Sequence, residues 1–210
     1  MPNSDRFDTR DIARVAIFAA IIAALGLIGP IPVPGLVPIT AQTLGIILAG
    51  AVLGPRRGAA AVTVFLLLVF IGLPLLSGGY GGAGVFAGVS AGYLIGWIPG
   101  AFVVGLIAHS GRGISWWRVA LGGVVGGILV IYFFGIPVQA AVTHLPLGQT
   151  ILTSLVFVPG DLIKIAITTV LTVGLWKAYP PVFGPKRRAV VETSTPVSSE
   201  APATDDAPTR

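Results

Sequence analysis

The chain alternates long apolar runs with short polar breaks. The runs occupy residues 12–29, 39–54, 58–76, 84–108, 118–142 and 159–177. A helix needs about 20 mostly apolar residues, within roughly 17–25, to cross the hydrocarbon of a bilayer. All six runs meet or approach that length. The pattern therefore predicts an all-α integral membrane protein with six transmembrane helices. The second run is short, and the fourth, glycine-rich at its start, is expected to become regular only near Ala91. Residues 143–158 are semi-apolar and read as a loop with a short helix at the membrane surface.

The polar breaks give an orientation. Arg6, Arg10 and Arg14 precede the first run, Arg56 and Arg57 join the second to the third, and Arg112 and Arg118 join the fourth to the fifth. Lys177, Lys186, Arg187 and Arg188 follow the sixth. With six spans every cluster falls on one side, while the opposite loops 30–38, 77–83 and 143–158 hold no Lys or Arg. Cytoplasmic loops carry the excess of Lys and Arg, so both termini are expected in the cytoplasm. The inner face then collects only arginines and lysines, and the polar chemistry points outward. The domain reading is a cytoplasmic segment 1–11, a membrane domain 12–177 and a cytoplasmic tail 178–210. From Val190 the tail is rich in Ser, Thr, Pro and Ala, and it buries too little apolar surface to offset its ordering entropy, so disorder is expected there.

Composition changes this picture little. The 210 residues are 54% hydrophobic and 10% charged, against about 25% charged in soluble domains. The net charge of +5 lies in loops between apolar runs and reflects orientation, not a nucleic-acid surface. There is no cysteine, so thiol chemistry and disulfides are excluded. Neither H-E-x-x-H nor G-x-x-x-x-G-K-[ST] occurs, so no metal, cofactor or P-loop ATP site is expected. Residues 12–29 imitate a signal peptide but lack a clear cleavage site and are followed by further spans, so they read as a retained first helix. "GVSAG" at 88–92 matches G-x-S-x-G, and Ser90 with His144 would make a hydrolase dyad. That motif needs a strand–turn–helix setting, whereas this segment leads into a helix.

Asp161 is the only acidic residue between Asp11 and Glu192. Pro159 suits the first turn of a helix, so Asp161 lies where the helix dipole favours a carboxylate. Lys164, three residues on, shares its face. A charge in the membrane costs roughly 2.5–3.5 kcal/mol on insertion scales and marks a functional site by default. An internal Asp161–Lys164 salt bridge is the plainer alternative. Gln42, Tyr80 and Tyr93 fall on the same outer side. Glycines at 84, 88, 92, 96 and 100 form a four-residue repeat, a stripe on which another helix can pack. Ala16, Ala20 and Ala24 form a similar stripe on the first helix, for internal packing or for a membrane partner.

Three segments carry a resemblance. "PVPGLVPITAQTLGIILAGAVLGPRRGA" (32–59), "GLPLLSGGYGGAGVFAGVSAGYLIGW" (72–97) and "VPGDLIK" (158–164) resemble the BioY family, the biotin-binding S components of energy-coupling factor transporters. The resemblance runs from about residue 12 to 177. It implies a six-helix fold with a biotin pocket near the outer surface, energised by a separate T component and paired ABC-type ATPases. It implies that Asp161 and Lys164 of "PGDLIK", with Tyr80 and Tyr93, contact the substrate; Gln42 joins these candidates by its place on the outer side alone. It also implies that the Ala16, Ala20 and Ala24 stripe docks the T component, and that the subunit topples in the membrane to release its cargo inward. The chain departs from the family pattern in "GVSAGY", in Tyr80 where polar or basic residues are common, and in its long tail. Larger aromatic vitamins would call for tryptophan on the outer face, whereas Trp97, Trp116, Trp117 and Trp176 fall mid-span or inward.

Overall fold

A computed structural model of the chain describes residues 8–32 and 37–179. The expectations for the tail from Val190, and for Arg6, Lys186, Arg187 and Arg188, lie outside these residues. Among them every regular element is helical, and only two isolated antiparallel bridges occur, Ile31 with Ile39 and Leu76 with Tyr80. The α-helices are α1 (Thr9–Gly26), α2 (Gln42–Leu53), α3 (Pro55–Phe70), α4 (Ala91–Ala108), α5 (Trp116–Gly122), α6 (Ile131–Thr143), α7 (Leu147–Ser154) and α8 (Val158–Ala178). A π-helical segment, Gly123–Val130, fuses α5 to α6, and a 3-10 turn, Leu155–Phe157, fuses α7 to α8. Six continuous helical stretches result among the described residues. Three of them, Ala91–Ala108, Trp116–Thr143 and Leu147–Ala178, are long and apolar enough to cross a membrane.

Boundaries follow local chemistry. Asp8 caps α1 in a reciprocal box with Asp11, satisfying N–H groups that have no partner within the helix. The third run was expected at 58–76, but α3 starts at Pro55, a good first-turn residue, and ends at Phe70. Gly72, at φ +111°, adopts a backbone that no helix contains. The fourth run becomes helical at Ala91, after a 3-10 turn at Ala83–Ala87.

The bundle is apolar on its outside as well as in its core, and polar residues are buried inside it. On α8 the buried residues are Asp161, Ile165, Thr168 and Thr172, while Ile163, Ile167 and Val170 are exposed. Leu67, Phe70, Phe133 and Leu129 are likewise exposed on other helices. Water would expel such a surface; lipid tails accept it. Helices in lipid gain nothing from hiding leucine from lipid, so small residues that permit close approach hold them together. Only part of the expected glycine stripe does this. A Cβ on Gly96 would lie 3.1 Å from the Ile131 carbonyl oxygen, and one on Gly100 would lie 2.8 Å from the Ile131 side chain. Gly92 closes on α6 in the same way, but Gly84 meets nothing and sits in the 3-10 turn before the helix.

The basic clusters gather at one end. Arg57 reaches Asp11 at 2.9 Å, His109 at the end of α4 bonds the Ala51 carbonyl at 2.9 Å, and Arg118 bonds the Gly113 carbonyl beside Trp176. The carbonyl can only accept, so His109 Nε2 carries the proton. Burial holds the His109 imidazole below its ordinary value, and the Arg57 and Arg118 charges press it the same way against the pull of the Ala51 bond. This end is not purely basic, contrary to expectation. Asp11 is buried there between Arg57 and Arg14, its side chain held by the capping box.

Candidate functional site

The end opposite the arginines holds the other buried charges. Asp161 lies in the first turn of α8, after Pro159, as its sequence setting predicts. Its Oδ1 accepts from Lys164 Nζ at 3.0 Å, so the internal ion pair does form. Its Oδ2 accepts the Tyr132 hydroxyl at 2.6 Å, from α6. Lys164 also donates to Thr43 Oγ1 on α2, at 2.9 Å. The side chains of Asp161 and Lys164 are 8% and 13% exposed, which marks them as buried yet reachable.

The pair is not used up. An ionised carboxylate has about four acceptor positions and an ammonium three donors. The contacts among the described residues take two of each. Unspent acceptors and one unspent donor therefore remain at the wall of a pocket of about 70 Å³, lined by Thr40, Thr43, Tyr93, Trp97, Tyr132 and the pair itself. A flat group with an N–H beside a carbonyl would fit these leftovers.

A larger chamber of about 500 Å³ shares Val37, Pro38, Thr40, Tyr93 and Trp97 with that pocket. Tyr93, from the first turn of α4, stands between the two. Its ring meets Tyr132 edge-on, with centroids 5.9 Å apart and an interplanar angle of 80°. Its hydroxyl donates to Gln139 Oε1 at 2.7 Å and lies 3.3 Å from Ser154 Oγ, tying α4 to α6 and α7. The chamber floor includes Trp97, packed against Phe65 with centroids 6.2 Å apart.

The remaining expected residues divide. Tyr80 is exposed at the chamber rim, on a turn closed by the Leu76–Tyr80 bridge, where Gly78 and Gly79 take φ of +87° and +76°. Gln42 lines the chamber but its amide is engaged elsewhere. Nε2 donates to the Leu75 carbonyl at 3.0 Å and the Ile22 carbonyl at 3.3 Å, and Oε1 accepts from the Ser77 N–H at 3.0 Å. It clamps α1 and the segment after α3 onto α2. Gln42→Ala is expected to cost about 2–4 kcal/mol, because buried backbone groups lose their partners. Thermal unfolding in detergent checks this; a variant of unchanged stability would show that these bonds do not hold the bundle together.

Ala16, Ala20 and Ala24 are all exposed on the outer face of α1. Internal packing of that helix uses Val15, Phe18, Ala19, Ile22 and Gly26 instead. Tyr132, Gln139 and Ser154 were not singled out from sequence. Tyr132 and Gln139 are polar residues within an apolar span, and that was the available signal. Ser90 precedes α4 in a helical conformation without a side-chain cap bond, and no strand comes before it among the described residues, so the nucleophile-elbow setting is absent there.

Comparison with known proteins finds relatives over most of the chain. The sequence description of the BioY family matches residues 1–181. The biotin transporter BioY of Rhizobium etli is 48% identical over 179 residues, covering 82% of this chain and 96% of its own length. Its counterpart in Rhodobacter capsulatus is 44% identical over 169 residues, covering 76% and 89%. The solved S-component for biotin from an ECF-type ABC transporter superposes with a TM-score of 0.76 at 34% identity, covering 84% of this chain and 95% of that one. These relatives are transporter components, not enzymes, which removes the hydrolase alternative. By match over most of its length and by fold, the chain belongs to the BioY family.

Proposed function

We propose that this protein captures biotin from outside the bacterial cytoplasmic membrane and delivers it inward as an S component. The observation that carries this reading is the half-used Asp161–Lys164 pair at the wall of a pocket that opens on a larger chamber. Biotin's ureido ring offers two N–H donors and one carbonyl. Asp161 accepts a ureido N–H and Lys164 donates to the carbonyl oxygen. The reverse orientation, with the valerate carboxylate on Lys164, places two carboxylates side by side. At about 4 Å and an effective dielectric near 20 their repulsion is about 4 kcal/mol, which cancels what the lysine returns. Tyr93 and Trp97 flank the apolar thiophane ring between pocket and chamber, and Tyr80 stands at the rim.

The membrane reading has six spans with both termini cytoplasmic. Two features support it: the arginines at one end of the bundle, and the apolar skin around it. The second span is short because α2 begins at Gln42, and the chain before it enters the bundle without helix. Irregular backbone at membrane depth is tolerated where it lines a cavity, and Val37, Pro38 and Thr40 line both the pocket and the chamber.

Energy comes from elsewhere, since the sequence holds no P-loop. The T component and paired ABC-type ATPases of an energy-coupling factor transporter supply it, with the T component docking on the exposed Ala16, Ala20 and Ala24 face. Calorimetric titration of the purified protein with biotin tests the core of the reading. One-to-one binding is expected. Folded protein that takes up no biotin would sink the substrate assignment.

A further inference from the structure

The larger chamber has no Lys, Arg, Asp or Glu among the described residues that line it. Its polar lining there comprises Thr40, Gln42, Ser77, Tyr80, Ser90 and Tyr93. Lys164 lines the smaller pocket, not the chamber, and is already paired with Asp161 at 3.0 Å. Ser77 Oγ is buried and has no hydrogen-bond partner among the described residues, while its residue lines the chamber wall. A buried hydroxyl without a partner is costly unless a ligand or water supplies one. A hydroxyl both donates and accepts, so it can serve a carboxylate oxygen, an amide oxygen or an amide N–H.

We propose that this protein recognises biotin without requiring its free carboxylate, and therefore also binds carboxyl-capped forms such as biotin amides. The inference rests on the biotin reading above and on the placement of the ureido ring at Asp161 and Lys164. With the head held there, the tail lies among neutral hydroxyls in a chamber of about 500 Å³, which has room for a capping group. No ion pair is lost when the acid becomes an amide. The carboxylate even leaves water for a lining that offers it no counter-charge.

The test is titration of the full-length protein in detergent with biotin and, separately, with its primary amide. The amide is expected to bind within about tenfold of the acid, because no buried ion pair distinguishes them. Tight biotin binding with an amide at least about a hundredfold weaker overturns the proposal, since a loss that large signals a desolvated charge partner for the carboxylate. Failure of biotin itself to bind is a separate result: it removes the substrate reading, and this inference with it.

Two variants read the same ratio, which is internal to each protein and insensitive to partial misfolding. Lys164→Met is expected to weaken acid and amide alike. Selective loss of the acid would place the carboxylate on Lys164 and overturn the proposal. Tyr80→Arg changes an exposed rim residue and is expected to create a preference for the acid of roughly fivefold, the value of a solvent-exposed ion pair. An unchanged ratio there would mean that the tail does not lie in this chamber.

Discussion

Asp161→Asn is expected to weaken biotin binding about a hundredfold while leaving the bundle folded. The carboxylate holds Lys164 at 3.0 Å and Tyr132 at 2.6 Å and keeps acceptor positions for a ligand N–H. An amide in its place has a single oxygen, turns an NH2 toward the ammonium or the ligand, and carries no charge. A charge-assisted hydrogen bond contributes about 1.5–3 kcal/mol, and leaving the lysine without its counter-ion adds to that. Every 1.4 kcal/mol is a factor of about ten in affinity, so the expected loss is about two orders of magnitude. Tyr132→Phe removes one donor to Asp161 and is expected to cause a smaller loss, about three- to tenfold. Titration calorimetry with a parallel thermal melt checks both. An Asp161→Asn variant that binds as tightly as the parent would show that the ureido group is held elsewhere.

Ala20→Trp is expected to abolish co-purification with a T component, and with it biotin uptake by cells, while biotin binding to the purified subunit stays unchanged. Ala16, Ala20 and Ala24 recur every four residues on the exposed side of α1, so each adds only a methyl to a smooth strip. Helices associate in lipid through close van der Waals packing and not through burial of apolar area. An indole on that strip holds a partner helix off and removes those contacts along several turns. The same position touches neither Asp161 nor the chamber, and the inward face of α1 remains Val15, Phe18, Ala19 and Ile22. Retained assembly in the variant would move the docking surface to another helix. Lost biotin binding would mean that the strip supports the bundle itself.

The residues named for these experiments differ in how readable they were. Asp161 and Lys164 stood out because a charge inside an apolar run is costly wherever the helix ends up, and both proved to line one pocket. The helical stretches were legible for a similar reason: length and apolarity answer to the solvent, and lipid imposes them residue by residue. Even there α3 ended six residues early, at a glycine whose positive φ no apolar count registers. The alanine strip was visible as spacing, but not its facing.

Facing is where local reading stops. A helix in water shows its buried side as an apolar stripe, whereas α4 and the π segment are apolar all round, so periodicity cannot say which side meets a neighbour. Hence the neighbours of Gly92, Gly96 and Gly100 could not be named, and Tyr132 could not be brought to Asp161 across 29 positions, nor Thr43 to Lys164 across 121. Gln42 was legible as a polar residue near the outer surface, but its partners were not: packing brings the Ile22 and Leu75 carbonyls and the Ser77 N–H to its amide. The solvent, the helices, the charged end and the one costly carboxylate are properties of short stretches and follow from the order of residues. The pairings that make those residues a site depend on how each helix is rotated against the next. Close contacts between glycine-bearing surfaces set that rotation, and they exist only once the chain is packed.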